Sequence, residues 1–255
     1  MKHTSEGLHP RQDSIRLIEE CAIRLTPDTQ ALSTWHQTYA SYHATRLAFD
    51  LDITKEFAAK RGDVLEVGSI PLLFTAAMSQ CGYNVTGCDI APQRYSSAIH
   101  RLGLKVVKCN VETDPLPFDG NTFDAVVFNE IFEHLRINLI FTLGEVLRVM
   151  KPGAILMLSS PNLRSLDGII NFLFKNESYS CCRDPYTEYQ KLQDLGHMGH
   201  VREYTTKEVT NFLEKVGFTV TNIVYRGLLN SRVKRGVARV FPSLRPFASY
   251  IACKR

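Results

Sequence analysis

No stretch of the chain approaches the roughly 18 uninterrupted apolar residues that a membrane span needs. The opening residues, MKHTSEGLHPRQD, also lack the apolar run of a secretory leader. A membrane-spanning protein is therefore excluded, and the expected compartment is the cytoplasm. None of the seven cysteines forms a C-x-x-C pair and their number is odd, which argues against a disulfide framework. The vicinal Cys181 and Cys182 fit free thiols rather than a bridge to each other. Internal repeats and low-complexity stretches are missing, and 44% apolar with 22% charged residues excludes a disordered or fibrous chain. Acids are absent from residues 226–255, which hold eight of the 30 basic residues, so the remainder carries a net −4 within a total of +4. Such a basic end suits phosphate, an acidic substrate or an anionic membrane face, although a solvated basic face is the plainer reading.

What is present, from about residue 63, is an alternation of short β-branched runs with helical patterns, the signature of a parallel sheet covered by helices. Strands are expected at Asp63 to Val67, Asn84 to Asp89, Leu104 to Cys109, Phe123 to Phe128 and Ala154 to Ser159, with Phe123 to Phe128 central because it is apolar throughout. Helices are expected from Pro71 to Cys81, from Pro92 to Gly103, and over Leu139 to Met150, where Lys151-Pro152-Gly153 stops the last one. Thr205 and Glu208 spell a capping box for a helix burying Val209, Phe212, Leu213 and Val216. Two final strands, near Thr219 to Tyr225 and Phe247 to Cys253, read as an antiparallel pair joined by a link with no strong helix.

Residues 1–60 read as helices, one burying Ile15, Ile18, Ala22 and Leu25. The other carries Trp35, Tyr39 and Tyr42 at helical spacing, a stripe that suits core packing better than a lid over a ligand. Residues 163–204 interrupt the alternation at the carboxyl end of a strand, where ligands bind in such sheets. Their stripe of Leu163, Leu166, Ile169, Ile170, Leu173 and Phe174 is expected to be a packed cap.

The first strand, its Gly68 turn and Asp89 at the end of the second strand together suggest a ligand with a ribose, whose hydroxyls an Asp can accept from. A dinucleotide needs G-x-G-x-x-G so that the backbone can approach a pyrophosphate. Here the six residues are Gly68-Ser69-Ile70-Pro71-Leu72-Leu73, and only the first glycine is present. That removes the main support for an NAD-dependent oxidoreductase and leaves a ribose ligand without phosphate.

The ordered set DVLEVGS (63–69), VTGCDIAP (85–92), VKCNVETDPLPF (107–118), FDAVVFNEIFEHL (123–135), EVLRVMKPGAILMLSSPN (145–162) and GHVREYTTKEVTNFLEKVGF (199–218) resembles the class I S-adenosylmethionine-dependent methyltransferases. The likeness is to the bacterial small-molecule branch and covers about residues 60–255. It implies an α/β, Rossmann-like fold: a seven-stranded, mostly parallel sheet with an antiparallel last strand, a helical N-terminal extension or lid (1–60), and a domain (61–255) with a substrate-cap insertion (163–204). S-adenosylmethionine is the implied cofactor. Glu66, Gly68 and Ser69 would line its methionine half, Asp89 and Ile90 its ribose, Asn110 and Val111 its adenine, with Asn129 closing over the sulfonium. Ile70 and Leu72 depart from relatives, which usually carry glycine there, so the ligand is expected to sit differently or more weakly against this loop.

For an acceptor hydroxyl the proton must leave, and His134 and His200 are the candidate bases, against the plainer reading of structural histidines. Arg202 and Tyr204 are the candidate substrate contacts, one as a clamp for an anionic group, the other as a pocket wall. His197 and His200 make an H-x-x-H pair, but a lone pair on a glycine-containing loop lacks convergent ligands, so no metal site is expected. The expected activity is methyl transfer to a small-molecule hydroxyl, such as a sugar or glycolipid precursor, with a quinone, phenol or amine acceptor as the alternative. A non-catalytic binding protein with an eroded glycine loop is the other alternative. Nucleic acid is disfavoured because Asn129-Glu130-Ile131-Phe132 replaces the N-P-P-Y or D-P-P-Y loop expected for a flipped base.

Overall fold

The computed structural model describes residues 2–3, 9–59, 61–178, 180–181, 184–195, 199–227, 229 and 231–254. Its strands are β1 (Lys2–His3), β2 (Asp63–Val67), β3 (Asn84–Asp89), β4 (Lys105–Lys108), β5 (Phe123–Asn129), β6 (Met150–Pro161), β7 (Phe218–Arg226) and β8 (Phe247–Lys254). They lie side by side in the order β1-β7-β8-β6-β5-β2-β3-β4. Strand β8 runs antiparallel to both β6 and β7, and the other pairings are parallel. The seven expected strands and the antiparallel last strand are thus present, with the two-residue β1 added at the edge.

Alternation along the strands divides the core between the two faces of the sheet. Val64, Ala125, Val127 and Met157 point to one face, and Leu65, Val126, Phe128 and Leu156 to the other. The first face is covered by α1 (Gln12–Arg24), α2 (Gln30–Phe57), α3 (Leu73–Gln80) and α4 (Ser96–Leu102), which bring in Ile18, Cys21, Leu51, Phe74, Ala77 and Ala98. The second is covered by α5 (Leu139–Val149) and α8 (Thr206–Val216), through Leu143, Val146, Val209 and Leu213. Both halves of the capping box at Thr205 and Glu208 are formed.

Four local expectations need correction. The helix expected from Pro71 starts at Leu73, because Leu72 takes a left-handed backbone (φ 70°, ψ 8°) and ends a turn in which its N–H donates to the Ser69 carbonyl at 2.6 Å. Strand β6 begins at Met150 rather than Ala154, since Met150 already pairs with Phe123 before the irregularity that skips to Ala125. The last two strands are linked through a helix, α9 (Arg232–Val240), strongly basic on one side. Finally, Trp35 and Tyr42 are 40% and 82% exposed, so the aromatic stripe of α2 is not core packing.

The insertion folds as α6 (Leu166–Ile170), a wide helical turn (Asn171–Lys175) and α7 (Pro185–Leu195). Leu163, Leu166, Ile169 and Ile170 are half-buried, but Leu173 and Phe174 are exposed together with Phe172, so the cap is only partly packed. Among the described residues no helix is long and apolar enough to cross a membrane. Of the vicinal pair, Cys181 is half-buried and Cys182 lies outside the described residues.

Leu72 offers a test of what holds the glycine loop. Its side chain is fully buried although its backbone occupies a region that favours glycine. Truncating a buried Leu costs about 2–5 kcal/mol, while relieving left-handed strain returns about 1 kcal/mol. Both Leu72→Ala and Leu72→Gly are expected to destabilise in urea unfolding, with the glycine variant the more stable of the two.

Candidate functional site

The sheet's carboxyl edge opens into a cleft of about 320 Å³ between the ends of β2, β3 and β5. Gly68, Asp89, Ile90, Asn110, Val111, Asn129 and His134 line it, with Trp35 and Tyr39 of α2 reaching over from the helical side. At the end of β3 the Asp89 carboxylate is held by two backbone N–H groups, accepting from Ile70 at 3.0 Å and from Ala91 at 2.9 Å. A carboxylate oxygen can accept more than one hydrogen bond. The Asn110 side-chain oxygen Oδ1 accepts from the Glu112 N–H at 3.2 Å in a tight turn. Behind it, Glu112 binds the Arg136 guanidinium at 2.8 Å and fixes the far wall.

A narrower chamber of about 30 Å³ continues from Gly68 beneath α2, lined by Arg46, Glu66, Ser69 and Asn129. Ser69 Oγ and Asn129 Oδ1 are buried there without a hydrogen-bond partner. Glu66 accepts from the Thr75 hydroxyl, and burial pushes its carboxyl up to about 8 despite that bond. Burial opposes the Arg46 charge, but Tyr39, Glu130 and Asp50 outweigh it and hold the guanidinium charged, with Tyr39 accepting from it at 3.1 Å.

Past β5 the chain turns sharply. Glu130 sits in the left-handed region (φ 55°), and a 3₁₀ turn, Phe132–His134, follows. The Glu130 carboxylate accepts from Ser159 at 2.9 Å and pairs with Arg226 at 3.2 Å. Burial works against its charge, yet Arg46 and Arg226 hold it below the usual carboxylate range. The same Arg226 pairs with Asp50 of α2 at 3.1 Å. No hydrogen-bond alignment accompanies that ion pair, and burial prevails, pushing Asp50 up to about 6.

The end of the insertion is fastened to this turn. The Glu133 carbonyl accepts from Val201 at 2.8 Å and from Arg202 at 3.3 Å, which brings the His200 ring edge-on to His134 at 4.6 Å between centroids. Burial, with His134 beside it, pushes His200 down to about 4, so it is a neutral imidazole near pH 7. Burial and the neighbouring Glu130 push Glu133 well above the usual carboxylate range. Among the described residues Glu133, His134 and His200 are the group of donors close enough to share an ion. His197, the partner in the expected H-x-x-H pair, lies outside the described residues.

With this geometry in place, the comparisons decide the family. A family model described as a methyltransferase domain matches residues 35–223. The chain belongs to that methyltransferase family. No curated protein matches it by sequence. Among solved structures it is similar to an S-adenosylmethionine-dependent methyltransferase from Thermotoga maritima, described as a possible histamine N-methyltransferase. The two are 16% identical with a TM-score of 0.57, covering 87% of this chain and 95% of that one. An S-adenosylmethionine-dependent methyltransferase from Archaeoglobus fulgidus is 18% identical with a TM-score of 0.58, covering 86% and 100%. The [4+2]-cyclase SpnF is 17% identical with a TM-score of 0.53, covering 82% and 83%. At these identities the likeness carries the fold.

Membership implies S-adenosylmethionine as cofactor, and the donor set fits it. The Asp89 carboxylate suits a ribose, the apolar Ile90 and Val111 suit an adenine, and Ser69 Oγ and Asn129 Oδ1 are unsatisfied polar atoms where an amino-acid end would lie. Every cofactor residue expected from sequence lies on the cleft or the chamber. The expected substrate contacts do not. Arg202 is exposed, pairs with Glu208 at 2.7 Å and stacks over Tyr204. Tyr204 is buried against Phe132 at 4.7 Å. These two residues hold the loop that presents His200, so they are anchors rather than pocket walls. Sequence reasoning passed over Arg46, Glu130 and Glu133, because a charged residue inside a helical or post-strand pattern reads as solvated until packing buries it.

Glu66 sets a pH dependence for the free protein. Its folded value of about 8 lies above the ordinary 4.5, so between those values the folded state binds more protons than the unfolded one. Its contribution is greatest below about pH 4.5 and declines as pH rises toward 8. Chemical unfolding from pH 5 to 8.5 should show wild type losing stability relative to Glu66→Gln, with the gap widest at the alkaline end.

Proposed function

We propose that this chain transfers a methyl group from S-adenosylmethionine to a hydroxyl of a small, cytoplasmic acceptor, a sugar or glycolipid precursor being the class favoured by its sequence resemblance. The observation that supports it is the cleft lined by Asp89 and His134, with the His200 imidazole edge-on against His134. Bound there, S-adenosylmethionine supplies a methyl on a sulfonium, an activated leaving group whose displacement depends chiefly on in-line placement. Asp89 would take the ribose hydroxyls, with Ile70 and Ala91 N–H groups already orienting it. Arg46 would hold the carboxylate of the methionine end and Glu66 its ammonium, which would draw the buried carboxyl back to its charged form. Trp35 and Tyr39 close the cleft from above, so α2 serves as both core element and lid. The imidazole pair handles the acceptor oxygen.

A second reading, a methyltransferase-like protein that binds without transferring, draws on one specific feature. The Ile131 side chain lies over Gly68 so closely that a Cβ there would collide with it, and the chamber behind is narrow. Thermal unfolding with S-adenosylhomocysteine, using NADH as control, separates the readings. A ligand at 100 times its dissociation constant stabilises by about 2.7 kcal/mol. Stabilisation by S-adenosylhomocysteine alone is expected, and Asp89→Ala should weaken binding at least about tenfold, because charge-assisted hydrogen bonds contribute about 1.5–3 kcal/mol each. No shift with either ligand would sink the catalytic reading.

The basic end supports a peripheral contact with an anionic surface. Helix α9 exposes Val233 and Val240 beside Arg232, Arg235 and Arg239, and Phe241 follows. Such a face suits the headgroup region of an acidic bilayer. Co-sedimentation with vesicles containing phosphatidylserine is expected at low salt and should fall in an Arg232→Glu/Arg239→Glu variant. Equal pelleting with neutral vesicles would refute the electrostatic contact.

A further inference from the structure

The donors beside the cleft are arranged for more than proton transfer. One ligand atom from each of Glu133, His134 and His200 lies within 4.8 Å of the other two. Glu133 is 1% exposed, and neither of its carboxylate oxygens has a hydrogen-bond partner. Its nearest cationic candidate, His200 Nε2, stands at 3.8 Å, beyond hydrogen-bond reach. A buried carboxyl without partners is costly in either protonation state, because the charged form needs a cation and the neutral form leaves a donor unmatched. Glu130 is held by Ser159 and Arg226, Asp89 by two backbone N–H groups and Glu112 by Arg136, while Asp50, which also lacks a hydrogen bond, pairs with Arg226 at 3.1 Å. Glu133 has two imidazoles beside it instead.

We propose that Glu133, His134 and His200 hold a divalent first-row transition-metal ion beside the cleft that His134 lines. For His200 the second shell is in place, as a metal-binding imidazole needs. His200 Nδ1 is bonded to the Ser180 hydroxyl at 3.1 Å, which leaves Nε2 turned toward Glu133. The backbone carbonyl of Glu133 accepts from Val201, next to His200 itself, so the two ligands are fastened to each other through the main chain. At metal–nitrogen bonds of about 2.0–2.1 Å, tetrahedral ligands lie about 3.3 Å apart. The present spacing, within 4.8 Å, would have to contract by about 1.5 Å to reach that. Two imidazole nitrogens and one carboxylate suit Zn²⁺, Co²⁺ or Mn²⁺ over Mg²⁺ and Ca²⁺, which prefer oxygen ligands throughout.

Three protein ligands leave a coordination position for the acceptor, and this role rests on the hydroxyl reading above. A hydroxyl on the ion becomes acidic and releases its proton to solvent. The resulting oxygen forms its bond to the methyl carbon as the carbon–sulfur bond breaks, and the bond's electron pair leaves with sulfur, turning the sulfonium into a neutral thioether. The histidines then act as ligands, and neither has to take up the proton.

The test reads the ion directly. Full-length protein is stripped with chelator and titrated with Co²⁺, with the visible absorption of nitrogen- and oxygen-ligated cobalt and equilibrium dialysis as readouts. One Co²⁺ per chain is expected, displaced by Zn²⁺ and not by equimolar Mg²⁺. His200→Ala and Glu133→Gln should each weaken cobalt binding at least tenfold while leaving the thermal shift with S-adenosylhomocysteine in place. Should Glu133→Gln fail to fold, His200→Ala carries the test alone, since His200 sits on a loop. Wild type that binds S-adenosylhomocysteine but takes up no cobalt overturns the site, and so does full cobalt binding in His200→Ala. Cobalt binding that depends on His200 supports the site whether or not a hydroxyl acceptor is found, so failure of the site and failure of the acceptor reading are distinguishable.

Discussion

One guanidinium ties the functional end of this molecule together. Arg226, at the last residue of β7, is almost wholly buried. It pairs with Asp50 of α2 and Glu130 of the post-β5 turn, and donates to Ser249 of β8 at 2.8 Å. Its positive charge therefore couples the N-terminal helices, the turn that carries the cleft's inner wall, and the antiparallel strand unique to this sheet. Breaking such a pair from one side leaves an uncompensated buried charge, which costs about 3–5 kcal/mol. The arrangement is thus worth more as a specifier of geometry than as a source of net stability.

The turn after β5 depends on that coupling. Glu130 has a left-handed backbone without being glycine, a conformation that costs about 1–3 kcal/mol and persists only where the surroundings over-determine it. Here they do. Its N–H donates to Ser159, its carboxylate accepts from the Ser159 hydroxyl, and Arg226 holds the same oxygen. The direction change sets His134 on the cleft, with Glu133 buried next to it. The Gly68 turn shows a similar logic, with Leu72 holding a glycine-like backbone through the burial of its side chain. Both places combine local strain with tertiary compensation, and both border the site.

Much of the cofactor half was legible in the chain. Strand β2, the Gly68 turn and Asp89 obey local rules: a β-branched run, a residue needing positive φ, and an acid at a strand end. The acceptor half was less so. His134 and His200 were visible as residues, but their meeting depends on backbone bonds from Val201 and Arg202 to Glu133 across more than sixty positions. Arg202 and Tyr204 read as substrate contacts because Arg and Tyr commonly serve that role; packing uses them instead to brace the loop. Helix α9 escaped the reading because its apolar positions are few and interleaved with arginine.

What the sequence determined by itself is whatever depends on neighbours within a few positions: the alternation of strands and helices, the capping box at Thr205 and Glu208, the family landmarks and the acid Asp89 at the end of β3. Periodicity and backbone preference act locally and survive any change elsewhere. Only the tertiary structure decided which charges are buried, because burial is a property of surfaces brought together and no residue carries it alone. Asp50, Arg46, Glu130 and Glu133 are ordinary acids and bases in the chain, and become the electrostatic framework of the site once α2 is laid on the sheet. The low dielectric created by that contact is what turns four charges into a fixed geometry.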